Sequence, residues 1–334
     1  MATLPEPKEM SEEMRQDTTI SVNNMTSLKS ILDTYGFCVI TGVLSDSETN
    51  TGISLIWDYL ESLGTGVSRT DTSTHTNDHW PPTFTTGILD NPIMCAGQSR
   101  VAWWGRTKAK RVFSHLYNTS DLVTSFDTIG VYREAIPTGK NLWYHVDSTI
   151  YNHPYDYSTQ GVLNLVDTLH DGRGGLVVLP CSHLLLYEHI TTKKNWAPLW
   201  EDEAFWEKYN LALPEVPEIE PIRVGAPAGS LILFHSSVVH CNMPRLHKTP
   251  TPSHLGRAVI YVCMAPRGRV TLEEWDRKRK EAVEEGATTS HWPDQIEKKR
   301  TPRYPLKRKV CDNMLEKDSV MKYSDLTPEM LDLL

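Results

Sequence analysis

Trp143-Tyr144-His145-Val146-Asp147-Ser148-Thr149 decides how the rest of the chain is read. Side chains on an extended segment alternate between two faces, so His145 and Asp147, two residues apart, point the same way. An imidazole nitrogen and a carboxylate oxygen on one face are two of the three ligands of a 2-His-1-carboxylate site, which leaves positions on Fe(II) open for a co-substrate and oxygen. The third ligand has to be a His far along the chain. The stretch from Gly229 to Asn242 offers His240, with His235 as a competitor. Their odd separation puts them on opposite faces if that stretch stays extended.

Working outward, the chain of 334 residues is 39% apolar and carries 10 Trp, enough for a large core. Its net charge of −8 argues against nucleic acid or an anionic membrane as the main partner. No apolar run reaches the roughly 18 residues of a membrane span. The polar, acidic start has no signal-peptide pattern. Six Cys are scattered without CxxC spacing, which reads as reduced thiols in a cytoplasmic protein rather than disulfides or structural zinc.

Residues 1–25 read as a flexible leader. Ser27 to Tyr35 reads as a short helix stopped by Gly36, Phe37 to Leu44 as a strand, and Ser45 as the cap of a helix with Ile53, Ile56, Trp57 and Leu60 on one face. Residues 64–100 form a long loop rich in Gly, Thr, Pro and His, and His75 and His79 in it are weak ligand candidates. A helix is expected over Lys108 to Tyr117, then strands over 125–133, 159–168 and 176–180. A Trp-rich helical stretch runs from Leu184 to about Tyr209. Further strands follow at 222–224, 230–234 and 257–264. Short strands with Gly and Pro turns over 120–265 argue for a β-sandwich or barrel. From Thr271 the character changes to a charged helix, a basic run at 298–309 read as a solvated face, and a last helix opened by Pro328.

His-x-Asp alone is weak, since a chain with 13 His yields roughly one match by chance. Context raises it. Gly36-Phe37-Cys38-Val39-Ile40 precedes it. Gly174-Gly175 and the strand into Pro180-Cys181-Ser182-His183 follow it. Gly229-Ser230-Leu231-Ile232-Leu233-Phe234 then leads to Val239-His240-Cys241-Asn242 and the strand Arg257 to Met264. In this order the motifs resemble the phytanoyl-CoA dioxygenase family of Fe(II)/2-oxoglutarate oxygenases. The resemblance covers about residues 27–265, with Thr288 to Pro293 a candidate further segment.

The resemblance implies an α+β, mainly β fold: a double-stranded β-helix (jelly-roll, cupin-like) over 26–270, with flanking N-terminal helices and a helical C-terminal extension over 271–334. It implies Fe(II) on His145, Asp147 and His240, and the far carboxylate of 2-oxoglutarate on Arg257. The longer gap between His240 and Arg257 leaves Arg245 as a rival anchor. It also implies molecular oxygen and a small organic substrate as reactants, with 2-oxoglutarate converted to succinate and CO₂. Trp103, Trp104, Trp143, Tyr144 and the 65–100 loop are candidates for the pocket, and Arg106, Lys108, Lys110 and Arg111 for an anionic substrate group. Core packing or solvation is the ordinary role of each of these. His153 and His183 read as structural, His170 as exposed. A cupin-like metal enzyme without 2-oxoglutarate and a non-catalytic binding protein are the alternatives. The residues set neither the substrate nor the oligomeric state, and a homo-oligomer stays open.

Overall fold

A computed structural model of the chain describes residues 7–81, 87–89, 91–133, 144–147, 158–169, 173–184, 220–243, 253–296 and 320–334. The chain opens with β1 (Lys8–Glu9), α1 (Glu12–Thr18) and β2 (Thr19–Ser21). The flexible leader is therefore corrected over these residues. β1 and β2 each pair in parallel with a strand of the body, and Met10 and Val22 are buried. The polar composition hid two short edge strands that need only a few apolar anchors.

α2 (Leu28–Tyr35) ends where Gly36 turns left-handed, with φ 81° and its N–H donating to Leu32 O. β3 (Phe37–Thr41) follows, then α3 (Asp46–Ser62), which opens on a capping box between Ser45 and Glu48. α4 runs Arg100–Tyr117, two turns longer than expected, because Ser99 caps it with its hydroxyl accepting from Ala102 N–H. The strand expected over 125–133 shortens to β5 (Ile129–Arg133), and a separate strand, β4 (Leu122–Thr124), precedes it. Next come β6 (Thr159–Asn164), β7 (Gly175–Val178), β8 (Ile222–Val224), β9 (Leu231–His235), β10 (His240–Met243) and β11 (Leu255–Pro266). α5 (Trp275–Glu284) and α6 (Pro328–Leu331), capped by Thr327, complete the described elements. The helical stretch expected over 184–209 lies almost wholly outside the described residues, as does the basic run.

Two sheets result. One has the order β1-β8-β7-β10; the other has the order β2-β3-β9-β6-β11-β4, with β5 also paired to β11. Period-two alternation divides the apolar side chains of the large sheet. Phe37, Val39, Val162, Ile232, Phe234 and Val259 meet Leu176, Val178 and Val224 of the small sheet in one buried layer. Cys38, Ile40, Leu163, Leu231, Leu233, Ala258 and Ile260 face the other way and pack with residues of α2, α3 and α4. The two sheets thus share an interior while helices cover the large sheet's back, a mixed α+β architecture.

Candidate metal centre

His145 and His240 are joined through their main chains. The N–H of His145 donates to the carbonyl of His240 at 3.0 Å, and the reverse bond measures 2.9 Å. His145 is an isolated bridge residue rather than part of the longer strand that the sequence suggested. The N–H of Asp147 donates to Ser236 O at 2.8 Å, which ties the His-Val-Asp segment to the turn before β10. His145, Asp147 and His240 then converge, each with one ligand atom within 4.8 Å of the others.

The separations are short and specific. Asp147 Oδ2 lies 3.2 Å from His240 Nε2, and Asp147 Oδ1 lies 3.5 Å from His145 Nε2. His240 Nδ1 is 2.9 Å from Val238 O. A carbonyl only accepts, so Nδ1 carries the proton in the neutral ring and Nε2 keeps its lone pair. Nε2 is the nitrogen turned to the Asp147 carboxylate at that 3.2 Å, so the pair can share a proton or a metal ion. Gln160 Nε2 donates to Asp147 Oδ2 at 2.9 Å and fixes the carboxylate from the strand below. Burial pushes the Asp147 carboxyl up, but the imidazoles of His291, His145 and His240 outweigh it and hold the group well below the usual carboxylate range.

The cluster opens into a cavity of about 270 Å³. Ile88, Val162, Leu176, Phe234 and Val262 make its apolar lining; Asp127, Gln160, Asn242, Tyr261, Ser290 and His291 make the polar one. Arg257 stands behind Asn242. Its Nη1 donates to Asn242 Oδ1 at 3.0 Å and to the Tyr132 hydroxyl at 3.3 Å. It is 2% exposed, its Nε has no partner, and among the described residues no carboxylate lies within ion-pairing reach of it. A buried guanidinium left without an acid fits an anionic group arriving from outside the chain. Burial pushes the hydroxyls of Tyr132 and Tyr261 up, so both stay protonated beside it.

No family model matches the chain. Its sequence is 25% identical over 255 residues to a Dictyostelium discoideum protein described as "Putative phytanoyl-CoA dioxygenase", covering 63% of this chain and 68% of that one. The chain resembles the phytanoyl-CoA dioxygenases. Solved structures share its fold at low identity. One is a "Putative Oxidoreductase" from Salmonella typhimurium LT2, with TM-score 0.58, 16% identity, and 94% of this chain and 85% of that chain covered. Another is the GlcNAc Inducible Gene 2 protein of Candida albicans, with TM-score 0.51, 12% identity, and 95% and 83% covered.

For this phytanoyl-CoA dioxygenase-like chain, the residues expected from the sequence divide clearly. His145, Asp147 and His240 come together. His235 does not: it is buried with its ring 5.5 Å from that of His183, and the turn after β9 separates it from His240. Arg257, Tyr261 and Val259 share the inward parity of β11, and Arg257 itself is not among the residues that line the cavity but sits behind Asn242, which does. Arg245, Trp143, His153 and His170 lie outside the described residues.

Ile88 aside, the other candidates do not reach the site, and most take the ordinary packing or surface role that the sequence reading preferred for them. Trp103 is a core residue whose Nε1–H donates to Gln98 Oε1 at 2.9 Å, and neither it, Trp104 nor Tyr144 lines the cavity. Among the described residues of the 65–100 loop, Ile88 alone lines the cavity. His75 stacks on Trp57 with ring centroids 5.1 Å apart, and neither it nor His79 lines the cavity. Arg106 is buried against Gly97 O, Lys108 pairs with Glu48, Lys110 lies 3.9 Å from Asp332, and Arg111 reaches Gly42 O; none of the four lines the cavity. His183 bonds Asp33 O, the structural role expected of it. The sequence reading missed Gln160, Asp127, Ser290 and His291. Gln160 was within reach, since it shares the inward parity of Val162 on β6; Ser290 and His291 lie in the 288–293 segment that the resemblance touches, though nothing local marks them as site residues.

Proposed function

We propose that the protein is a non-haem Fe(II)/2-oxoglutarate-dependent dioxygenase that oxidises, most simply by hydroxylation, a small organic substrate. The observation that carries this reading is the convergence of His145, Asp147 and His240, with Nε2 of His240 turned to the Asp147 carboxylate at 3.2 Å and His145 beside both. Two imidazoles and one carboxylate are the donor set of oxygenase iron sites with open positions. The resemblance to a named phytanoyl-CoA dioxygenase and the acid-free Arg257 support the same reading.

His145, Asp147 and His240 would hold the metal, and Arg257 would hold the far carboxylate of 2-oxoglutarate in the fork geometry a guanidinium offers. When bound, iron and the keto acid supply the oxidising chemistry, with 2-oxoglutarate leaving as succinate and CO₂. The chain supplies the rest. Val238 O sets the tautomer of His240, and Gln160 keeps the carboxylate from turning. Asn242 and the Tyr132 hydroxyl hold the Arg257 guanidinium in place, and Asn242 in turn donates to the Tyr261 hydroxyl. Val162, Leu176, Phe234 and Val262 keep water from the oxidant's side of the cavity. The fold this implies is the double-stranded β-helix, with the site between its two sheets.

The test is succinate formation from 2-oxoglutarate with Fe(II) and oxygen, run for wild type, His240→Ala and Arg257→Ala. Substrate-independent turnover in wild type, abolished in the first variant and sharply reduced in the second, is the expected result. Tight metal binding with no succinate would instead favour a cupin-like enzyme that does not use 2-oxoglutarate.

A further inference from the structure

The C-terminal extension does more than cover the core. Residues 287–292 are stitched to it by bonds that span more than 160 positions of sequence. Gln98 Nε2 donates to Ala287 O at 2.8 Å, and Gly97 N–H donates to Thr288 Oγ1 at 3.1 Å. Phe126 N–H donates to Thr289 Oγ1 at 2.9 Å, and Thr289 N–H returns a bond to Phe126 O at 3.0 Å. Both threonines are fully buried, so each bond satisfies a main-chain group that water does not reach. Gly97 permits the approach: a Cβ there would sit 2.2 Å from Phe126 O. A segment held this firmly carries its next residues to a fixed place.

That place is the cavity. Ser290 and His291 both line it, and Ser290 Oγ is buried without a partner. His291 Nε2 lies 3.7 Å from Asp147 Oδ1, on the oxygen opposite the one that Gln160 holds. The ring is about one-quarter exposed, so it stands at the wall rather than in the core. It is not part of the three-residue cluster whose ligand atoms all lie within 4.8 Å of one another.

We propose that His291 is a positioning residue: its Nε2 stands 3.7 Å from Oδ1 of Asp147, one small side-chain movement short of a hydrogen bond, and closes to donate to that oxygen while Gln160 holds Oδ2, so that the carboxylate is oriented from both sides to receive the metal. The inference rests on the metal-site reading above and extends it to a segment outside the β-sheets. An outer donor to a ligating carboxylate fixes its rotamer and removes the entropy of aligning it when the metal binds.

Co(II), an air-tolerant substitute for Fe(II), tests this through its visible spectrum without any turnover. It is titrated into wild type, His291→Ala and His291→Gln, with circular dichroism and thermal melting of the metal-free proteins as the check on folding. His291→Ala is expected to bind Co(II) roughly tenfold or more weakly, and His291→Gln, whose amide keeps an N–H donor, to recover most of that loss. A metal affinity of His291→Ala equal to wild type overturns the inference and leaves the His145–Asp147–His240 site standing. A Gln variant as weak as Ala overturns it too, because donation to Asp147 would not be what the imidazole supplies. Wild type that binds no Co(II) overturns this inference and the site reading beneath it together.

Discussion

His145 and His240 exchange both main-chain hydrogen bonds, at 3.0 and 2.9 Å, although 95 residues separate them in the chain. The pairing sets their imidazole rings side by side, 4.3 Å between centroids, with the His240 ring also packed against Phe234. The relative position of the two residues is thus set by backbone geometry, which is stiffer than side-chain packing. Asp147 is tuned by side chains.

Gln160 performs part of that tuning through its 2.9 Å bond to Asp147 Oδ2. Gln160→Leu keeps the side chain's approximate volume and removes the donor. Metal affinity, measured by Co(II) or Fe(II) titration, is expected to fall roughly 10- to 100-fold with little change in melting temperature. An unchanged affinity would show that the carboxylate needs no support from β6.

Arg257 is expected to govern 2-oxoglutarate and not the metal. Arg257→Lys keeps the charge but loses the planar fork, and its Nζ cannot meet Asn242, Tyr132 and a carboxylate together. Its affinity for 2-oxoglutarate should fall roughly 100-fold or more while metal affinity stays near wild type. Isothermal titration of each component separates the two, and a loss confined to metal binding would contradict the assignment.

Gly36 is a position where a small change should cost stability. Its φ of 81° disfavours any L side chain, and a Cβ would lie 2.4 Å from Val238 Cγ2 and 2.6 Å from His183 Nδ1. Gly36→Ala should therefore cost about 2 kcal/mol or more in urea unfolding. Val238 O fixes the tautomer of His240, so strain at Gly36 should also weaken metal binding.

His235 makes stability depend on pH. Burial, followed by the nearby His183, pushes its imidazole from the ordinary 6.5 down to about 3. The native state keeps the ring neutral while the unfolded chain takes up a proton as pH falls below 6.5. This contribution is fully present above pH 6.5 and is lost between 6.5 and about 3, at up to about 1.4 kcal/mol per pH unit. His183 is pushed down for the same reason, so the comparison of wild type with His235→Gln isolates His235. Urea unfolding at pH about 7 and about 5 should show a smaller acid-induced loss in the variant than in wild type.

The sequence was most legible where a local rule has no competitor. Gly36 as a helix stop and Ser45 with Glu48 as a helix start follow from backbone chemistry within four residues, and both occur as read. His145 with Asp147 and the preference for His240 over His235 followed from parity and motif order, and the geometry brings those three together. The leader was misread because β1 and β2 are edge strands of two and three residues, too short for alternation to register. Trp103 and Arg106 were open to misreading because one helix face looks alike whether it meets a core or a pocket. His291 was illegible as a site residue, since only tertiary bonds through Thr288 and Thr289 bring it to Asp147.

The most direct test of the central claim is an anaerobic titration of metal-free protein with Fe(II) and then 2-oxoglutarate, followed by visible absorption, beside His145→Ala and Arg257→Ala. A metal-to-ligand charge-transfer band in wild type, absent in His145→Ala and weakened in Arg257→Ala, is the predicted result. Tight Fe(II) binding with no such band would contradict the account, because the keto acid would then not meet the metal held by His145, Asp147 and His240.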